Sequence, residues 1–200
     1  MIPSDVLSPR LREAPPAPGG APTAAVAVRP LQPSDKHALL AFFRRLPVNE
    51  RGRFFPDAMI DPVLVAKWCQ HWSSGRSRVM TAWSGERMIG GGAIDLARQH
   101  MHAHVGRIRM AVDPEYRRMG VGQMIMHELL DIAPNLGIEW LDAEVGSHEA
   151  AALRFLRRLS FHERGVLPDH GQDMLGGRFD VVLLARHVES HLPHEIGGHG

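Results

Sequence analysis

Two hundred residues, 44% hydrophobic and 22% charged, suit one globular domain with ordinary tails. A formal net charge of +1 excludes the strong basic footprint of a nucleic-acid binder. No apolar run is long enough to span a membrane, the single cysteine (Cys69) excludes an internal disulfide, and the first residues lack the order of a secretory signal, so a cytoplasmic protein is expected.

Residues 1–23 are rich in Pro, Ala and Gly and predict a disordered or extended leader. Residues 24–31 read as a strand. Residues 33–46 predict a helix capped by Ser34 or Asp35, with Leu39, Leu40, Phe42, Phe43 and Leu46 on one face. After the loop "PVNERGRFFP", Asp61-Pro62 opens a second helix in which Val65, Trp68, Cys69 and Trp72 recur at helical spacing. Strands are predicted at 77–83 and 87–97 across the turn "SGE", and at 103–112. Residues 121–133 predict a helix, 138–145 a strand, and 148–159 a helix of high propensity. Two last strands, 161–168 and 177–186, flank "DHGQDMLG". Residues 188–200, with His191, His194 and His199, predict a flexible His-rich tail that is solvated rather than a metal site. The order predicts a single α/β domain over 24–187, with a mixed, mostly antiparallel central sheet and helices on both faces.

The segment "AVDPEYRRMGVG" (111–122) holds the clearest chemical signal. Pro114 closes a turn, two arginines follow, and Gly120 and Gly122 stand where loop becomes helix. A helix start carries unpartnered N–H groups and partial positive charge. Glycine lets a phosphate approach those groups, and arginine adds forked donors. A glycine pair alone is a weak motif.

The element order, the loop after the fourth strand, and the helix end "FLRRLSF" together resemble the GNAT family of N-acetyltransferases. The resemblance runs over about residues 24–187, and Arg117-Arg118-Met119-Gly120-Val121-Gly122 matches the family's cofactor motif. It implies acetyl-CoA as cosubstrate, with its pyrophosphate on the N–H groups of residues 118–123, including Gln123. The pantetheine arm would run along Met110, Ala111 and Val112, in a cleft where the fourth strand and the fifth, 138–145, splay apart. A strand N–H would face the thioester carbonyl as oxyanion donor. A primary amine, on a small molecule or a protein lysine, would attack directly, and a homodimer is compatible with the family.

The sequence departs from the family pattern at the proton donor. Leu156 stands where many members carry tyrosine, Ser160 replaces a glycine, and Glu149 replaces a helix-start asparagine. A non-catalytic acyl-CoA sensor with the same fold is therefore the alternative. The candidate catalytic groups are His104, by strand parity with Gly106, Ile108 and Met110, together with Glu144 and His148 at the border of the cleft. The plain readings beside them are an edge histidine, a solvated strand end and a neighbour of a helix cap. Arg107 and Arg109 suit ion pairing better than catalysis. For the acceptor, Phe54 and Phe55 offer an apolar wall, and Asp57, Asp169 and Asp173 either attract an ammonium group or serve as turn residues.

Overall fold

The computed structural model describes residues 10–12, 25–51, 61–74, 77–97, 100–173 and 175–188. Its elements are β1 (Arg10–Arg12), β2 (Val26–Pro30), α1 (Lys36–Arg45), α2 (Val48–Arg51), α3 (Pro62–Ser74), β3 (Ser77–Ser84) and β4 (Arg87–Leu96). There follow β5 (Val105–Val112), α4 (Val121–Ile132), β6 (Trp140–Gly146), α5 (Ala150–Arg158), β7 (His162–Gln172) and β8 (Arg178–His187). The strands form one sheet in the order β1-β2-β3-β4-β5-β6-β8-β7. All neighbours are antiparallel except β5 and β6. With β1 counted, these two are the fourth and fifth strands of the sequence reading.

The structure departs from expectation in several places, and β7 runs on to Gln172, past the predicted end at residue 168. Arg10–Arg12 lies inside the predicted leader, yet pairs with β2 as an edge strand. The rest of residues 1–23, and residues 189–200 of the predicted tail, lie outside the described residues. The short helix α2 occupies part of a predicted loop. Asp35 stands at the N-cap of α1 but makes no cap bond there. Its carboxylate instead accepts from the Gln32 N–H at 2.8 Å and from both terminal nitrogens of Arg29 at 2.7 and 2.8 Å. A bidentate arginine outcompetes a single backbone donor.

The sheet is packed on both faces. On one, Ile125, Met126 and Leu129 of α4 and Leu153 and Leu156 of α5 join Ile108, Leu141, Ala143 and Val145. On the other, Leu39, Phe42 and Phe43 of α1 and Val65 and Cys69 of α3 join Trp83, Met88 and Ala111. The period-two alternation of β5 sends Ile108 to the first core and Ala111 to the second. The Cys69 thiol donates to the Gln32 carbonyl at 3.0 Å. Burial above all, with the Asp35 charge, pushes that thiol up to about 11, so it is a packing residue and not a nucleophile. Among the described residues, the α1/α3 core draws nothing from β6, β7 or β8.

Two features place α4. Gly90 and Gly92 of β4 leave room for Ile125, which a Cβ at either position would approach to 2.8 and 2.7 Å. The helix thus lies close on the sheet. Asp113, buried at the end of β5, then fixes the chain leading into α4. Its carboxylate accepts from Arg45 Nε at 2.6 Å, Arg87 Nη2 at 3.0 Å and the Glu115 N–H at 3.2 Å. Arg45 also reaches the Met88 carbonyl at 2.6 Å, so one buried acid ties α1, the β3–β4 turn and the loop together.

Candidate active site

β5 and β6 pair over only Val105↔Trp140, Gly106↔Leu141 and Arg107↔Asp142. Beyond that point β5 stays with β4 as far as Val112, while β6 follows β8 as far as Gly146. The sheet therefore opens into a cleft. The His104 carbonyl takes the Trp140 N–H at 3.1 Å, which sets which backbone groups of β5 turn toward β6. By alternation, those of Ile108 and Met110 turn into the cleft, where no strand meets them.

A cavity of about 440 Å³ fills this opening. Strand parity divides its lining in two. Ile108, Met110, Met126, Ala143, Phe155 and Leu156 give the α4/α5 side an apolar wall. Arg107, Arg109 and Glu144 line the opposite side, and His170 and Gln172 join the lining from β7. Arg107 Nη2 pairs with Glu144 at 3.0 Å, and Arg109 holds Asp95 through two bonds of 2.5 and 2.8 Å, so both arginines are ion-pair partners. Next to them, burial pushes the Asp142 carboxyl above its ordinary range, against the pull of Arg107.

The apolar wall runs up to the start of α4. Arg118 and Gly120 are left-handed, with φ of 62° and 80°, which curls the loop before the helix. The helical bonds begin with the Met124 N–H to the Gly120 carbonyl at 3.0 Å. The N–H groups of Val121, Gly122 and Gln123 therefore precede the ladder. A Cβ at Gly122 would sit 3.5 Å from Met110, 3.6 Å from Val112 and 3.7 Å from Phe155, on the cleft side of the helix. Arg117 is held away, by Glu50 at 2.6 Å and the Val112 carbonyl at 3.2 Å. Met119 is exposed, and Ala111 turns its side chain into the opposite core, leaving only its backbone near the loop.

The other expected site residues divide sharply. Glu144 lines the cavity. His104 does not: β5 begins at Val105, and His104 sits exposed in the preceding turn, at the end where β5 and β6 are still joined. Its phase with Ile108 and Met110 holds at the backbone, since its carbonyl faces β6, but it lies at the far end of β5 from the cleft. His148 folds over Gly146 and meets the Phe179 ring edge-on at 4.8 Å, beside the cavity and outside its lining. Asp173 spends one carboxylate oxygen on the N–H groups of Leu175 and Gly177, both at 2.8 Å, and is a turn residue. Asp169 lies in a β7 bulge, outside the cavity lining. Phe54, Phe55 and Asp57 lie outside the described residues. The sequence reading passed over Glu149 as a site residue and missed His170 and Gln172, all of which line the cavity. Only the neighbouring Asp169 and Asp173 drew notice to that hairpin.

The sequence pattern described as the acetyltransferase (GNAT) family matches residues 40–161, which include the whole of β5, the glycine loop, α4, β6 and α5. The chain belongs to the GNAT family. YwnH of Bacillus subtilis (strain 168), a candidate phosphinothricin acetyltransferase, is 35% identical over 81 residues, 40% of this chain and 49% of that protein. The ribosomal protein bS18-alanine N-acetyltransferase of Escherichia coli (strain K12) is 32% identical over 76 residues, 38% of this chain and 51% of that protein. The chain thus spans about half the length of the curated relatives it matches. Among solved structures, a candidate acetyltransferase from Salmonella typhimurium with its cofactor acetyl-CoA has a TM-score of 0.71 at 17% identity, over 83% of this chain and 95% of that one. At that identity the likeness is one of fold, and it places a GNAT architecture around the cleft.

Proposed function

We propose that this GNAT protein is an acetyl-CoA-dependent N-acetyltransferase of the cytoplasm, acting on a primary amine. The observation that carries the reading is the two-sided cleft, apolar toward α4 and α5, polar toward the opposite face, and ending at the glycine-led start of α4. The residues fit acetyl-CoA. The N–H groups of residues 121–123 would hold its pyrophosphate, the gap over Gly122 admits it, and Ile108 and Met110 offer backbone partners to the pantetheine amides. Bound there, acetyl-CoA supplies an activated acyl group. The chain supplies an apolar wall that excludes water from the thioester, and a polar side from which an amine enters.

The acceptors named for the two relatives are phosphinothricin and a protein alanine, both of which bear amines, and this supports an amine on a small molecule or a polypeptide. Incubation with acetyl-CoA and a panel of alkylamines, amino acids and short peptides, read by mass spectrometry, tests the reading. An N-acetylated product is expected from at least one class. A second reading, a non-catalytic acyl-CoA-binding module, is favoured by the buried Leu156, which gives the cleft wall no proton donor. It predicts acetyl-CoA binding with no acetylated product.

The placements give a further expectation. Glu144 is 42% exposed and paired with Arg107, so Glu144→Gln should weaken attraction for a cationic amine by about 1 kcal/mol or less. Steady-state kinetics should show KM for the amine rising up to about fivefold with kcat little changed. His104→Ala should leave both constants as they are. A large fall in kcat for His104→Ala would mean that the reaction occurs at the joined end of β5 and β6.

A further inference from the structure

We propose that His170, presented by a bulge in β7, is the group that takes the proton from the incoming amine. The inference rests on the acetyltransferase reading and assigns within it a role that the missing tyrosine leaves open.

The geometry of the hairpin points to this residue. Leu167 pairs with Val181 and Gly171 with Phe179, so Pro168, Asp169 and His170 together face only Asp180. Bulges of this kind re-aim side chains. The backbone is forced to make it. Asp169 has φ of 52°, an uncommon conformation for a residue with a side chain, and its N–H is pinned by the Asp180 carboxylate at 3.0 Å. Pro168 gives the strand no N–H to offer at that point. Gly171 follows because a Cβ there would collide with the Phe179 ring, which itself lines the cavity. The result is that His170 joins the lining of the cleft although its strand is the sheet's outer edge.

Elimination supports the same residue. Among the described residues, the charged and titratable groups around it are Arg107 and Arg109 of β5, Glu144 of β6, His148 and Glu149 before α5, and Asp180 of β8. The arginines cannot accept a proton. Glu144 is occupied by Arg107, and Asp180 by the Asp169 N–H. Glu149 is only 12% exposed and lies at the start of α5, while His148 is turned onto Phe179. His170 is exposed and lines the cleft, and a neutral imidazole carries a ring nitrogen that accepts a proton. The amine arrives as an ammonium ion and gives one proton to a ring nitrogen of His170. Its nitrogen then forms the bond to the acetyl carbon as the carbon–sulfur bond breaks. The second proton of the amine leaves with the sulfur as the CoA thiol, and His170 returns its proton to water.

Three measurements on the full chain test the assignment. Calorimetry should give His170→Ala the acetyl-CoA affinity of the wild type. Thiol release with an amine accepted by the wild type should fall roughly 10²–10⁴-fold at neutral pH, recover toward high pH, and rise again when imidazole is added. In the CoA-saturated protein, n-butylamine should move the NMR ring signals of His170 and leave those of His104 unchanged. Full activity of His170→Ala across the pH range, or a loss that neither pH nor imidazole restores, overturns the role of His170 alone. A wild type that binds acetyl-CoA and acetylates no amine overturns the acetyltransferase reading itself.

Discussion

Gly122→Asp should abolish measurable acetyl-CoA binding while the protein remains folded. A side chain at this position makes only ordinary contacts with Met110, Val112 and Phe155, so the fold has room for it. Position 122 is in the first turn of α4, where an acidic residue is favourable to the helix by about 0.3–1 kcal/mol. The same carboxylate would occupy the gap beside the free N–H groups and repel a pyrophosphate. Gly122→Ala separates size from charge. It should raise helix stability by up to about 1 kcal/mol, and cost binding about 1–3 kcal/mol by crowding, roughly 5–150-fold in affinity. Thermal melts beside calorimetric titrations check both. Unchanged affinity in Gly122→Asp would remove the glycine loop from the site.

Asp113→Ala should have the largest effect on stability. Removing one partner of a buried ion pair costs about 3–5 kcal/mol, because the other charge is left uncompensated. Here Arg45 and Arg87 keep 29% and 36% of their side-chain surface, so water relieves part of the cost and about 3 kcal/mol is expected. The loss should appear in chemical denaturation as a lowered midpoint with an unchanged slope. Acetyl-CoA affinity should fall as well, since the same carboxylate anchors the entry to the glycine loop. Burial alone pushes the Asp113 carboxyl upward, but hydrogen bonds from Arg45, the Glu115 N–H and Arg87 outweigh it and hold it below the ordinary carboxylate range. A depressed carboxyl contributes stability above its unfolded value, and the contribution is lost as pH falls through the folded one. Wild-type stability should therefore decline below about pH 4, and Asp113→Asn should show a shallower decline from a lower starting value.

The fold was legible because its signals were periodic. Leu39, Phe42, Phe43 and Leu46 marked the buried face of α1, and Gly120 and Gly122 marked the start of α4. The cofactor side was legible for a similar reason, since backbone chemistry at a helix start needs glycine and leaves a local signature. The acceptor side was not. Whether His104 lies near the cleft depends on where β5 and β6 part, and no local pattern marks that point. Asp169 and Asp173 look like acids poised for a ligand, yet one sits in a bulge and the other caps its own turn. His170 reaches the cleft only through a register shift against Asp180, which depends on a residue on the facing strand. The long-range ties of Asp113 to Arg45 and Arg87 are invisible for the same reason: no local pattern records a contact made across 68 positions.

Acetyl transfer to an amine is measured by CoA thiol release from acetyl-CoA, followed with and without a panel of primary amines, on the wild type beside Gly122→Asp. Amine-dependent release by the wild type is expected, matched by an equal amount of N-acetylated product, with none from the variant. Tight acetyl-CoA binding by the wild type with no amine-dependent release would contradict acetyl transfer and leave the chain as an acyl-CoA-binding module.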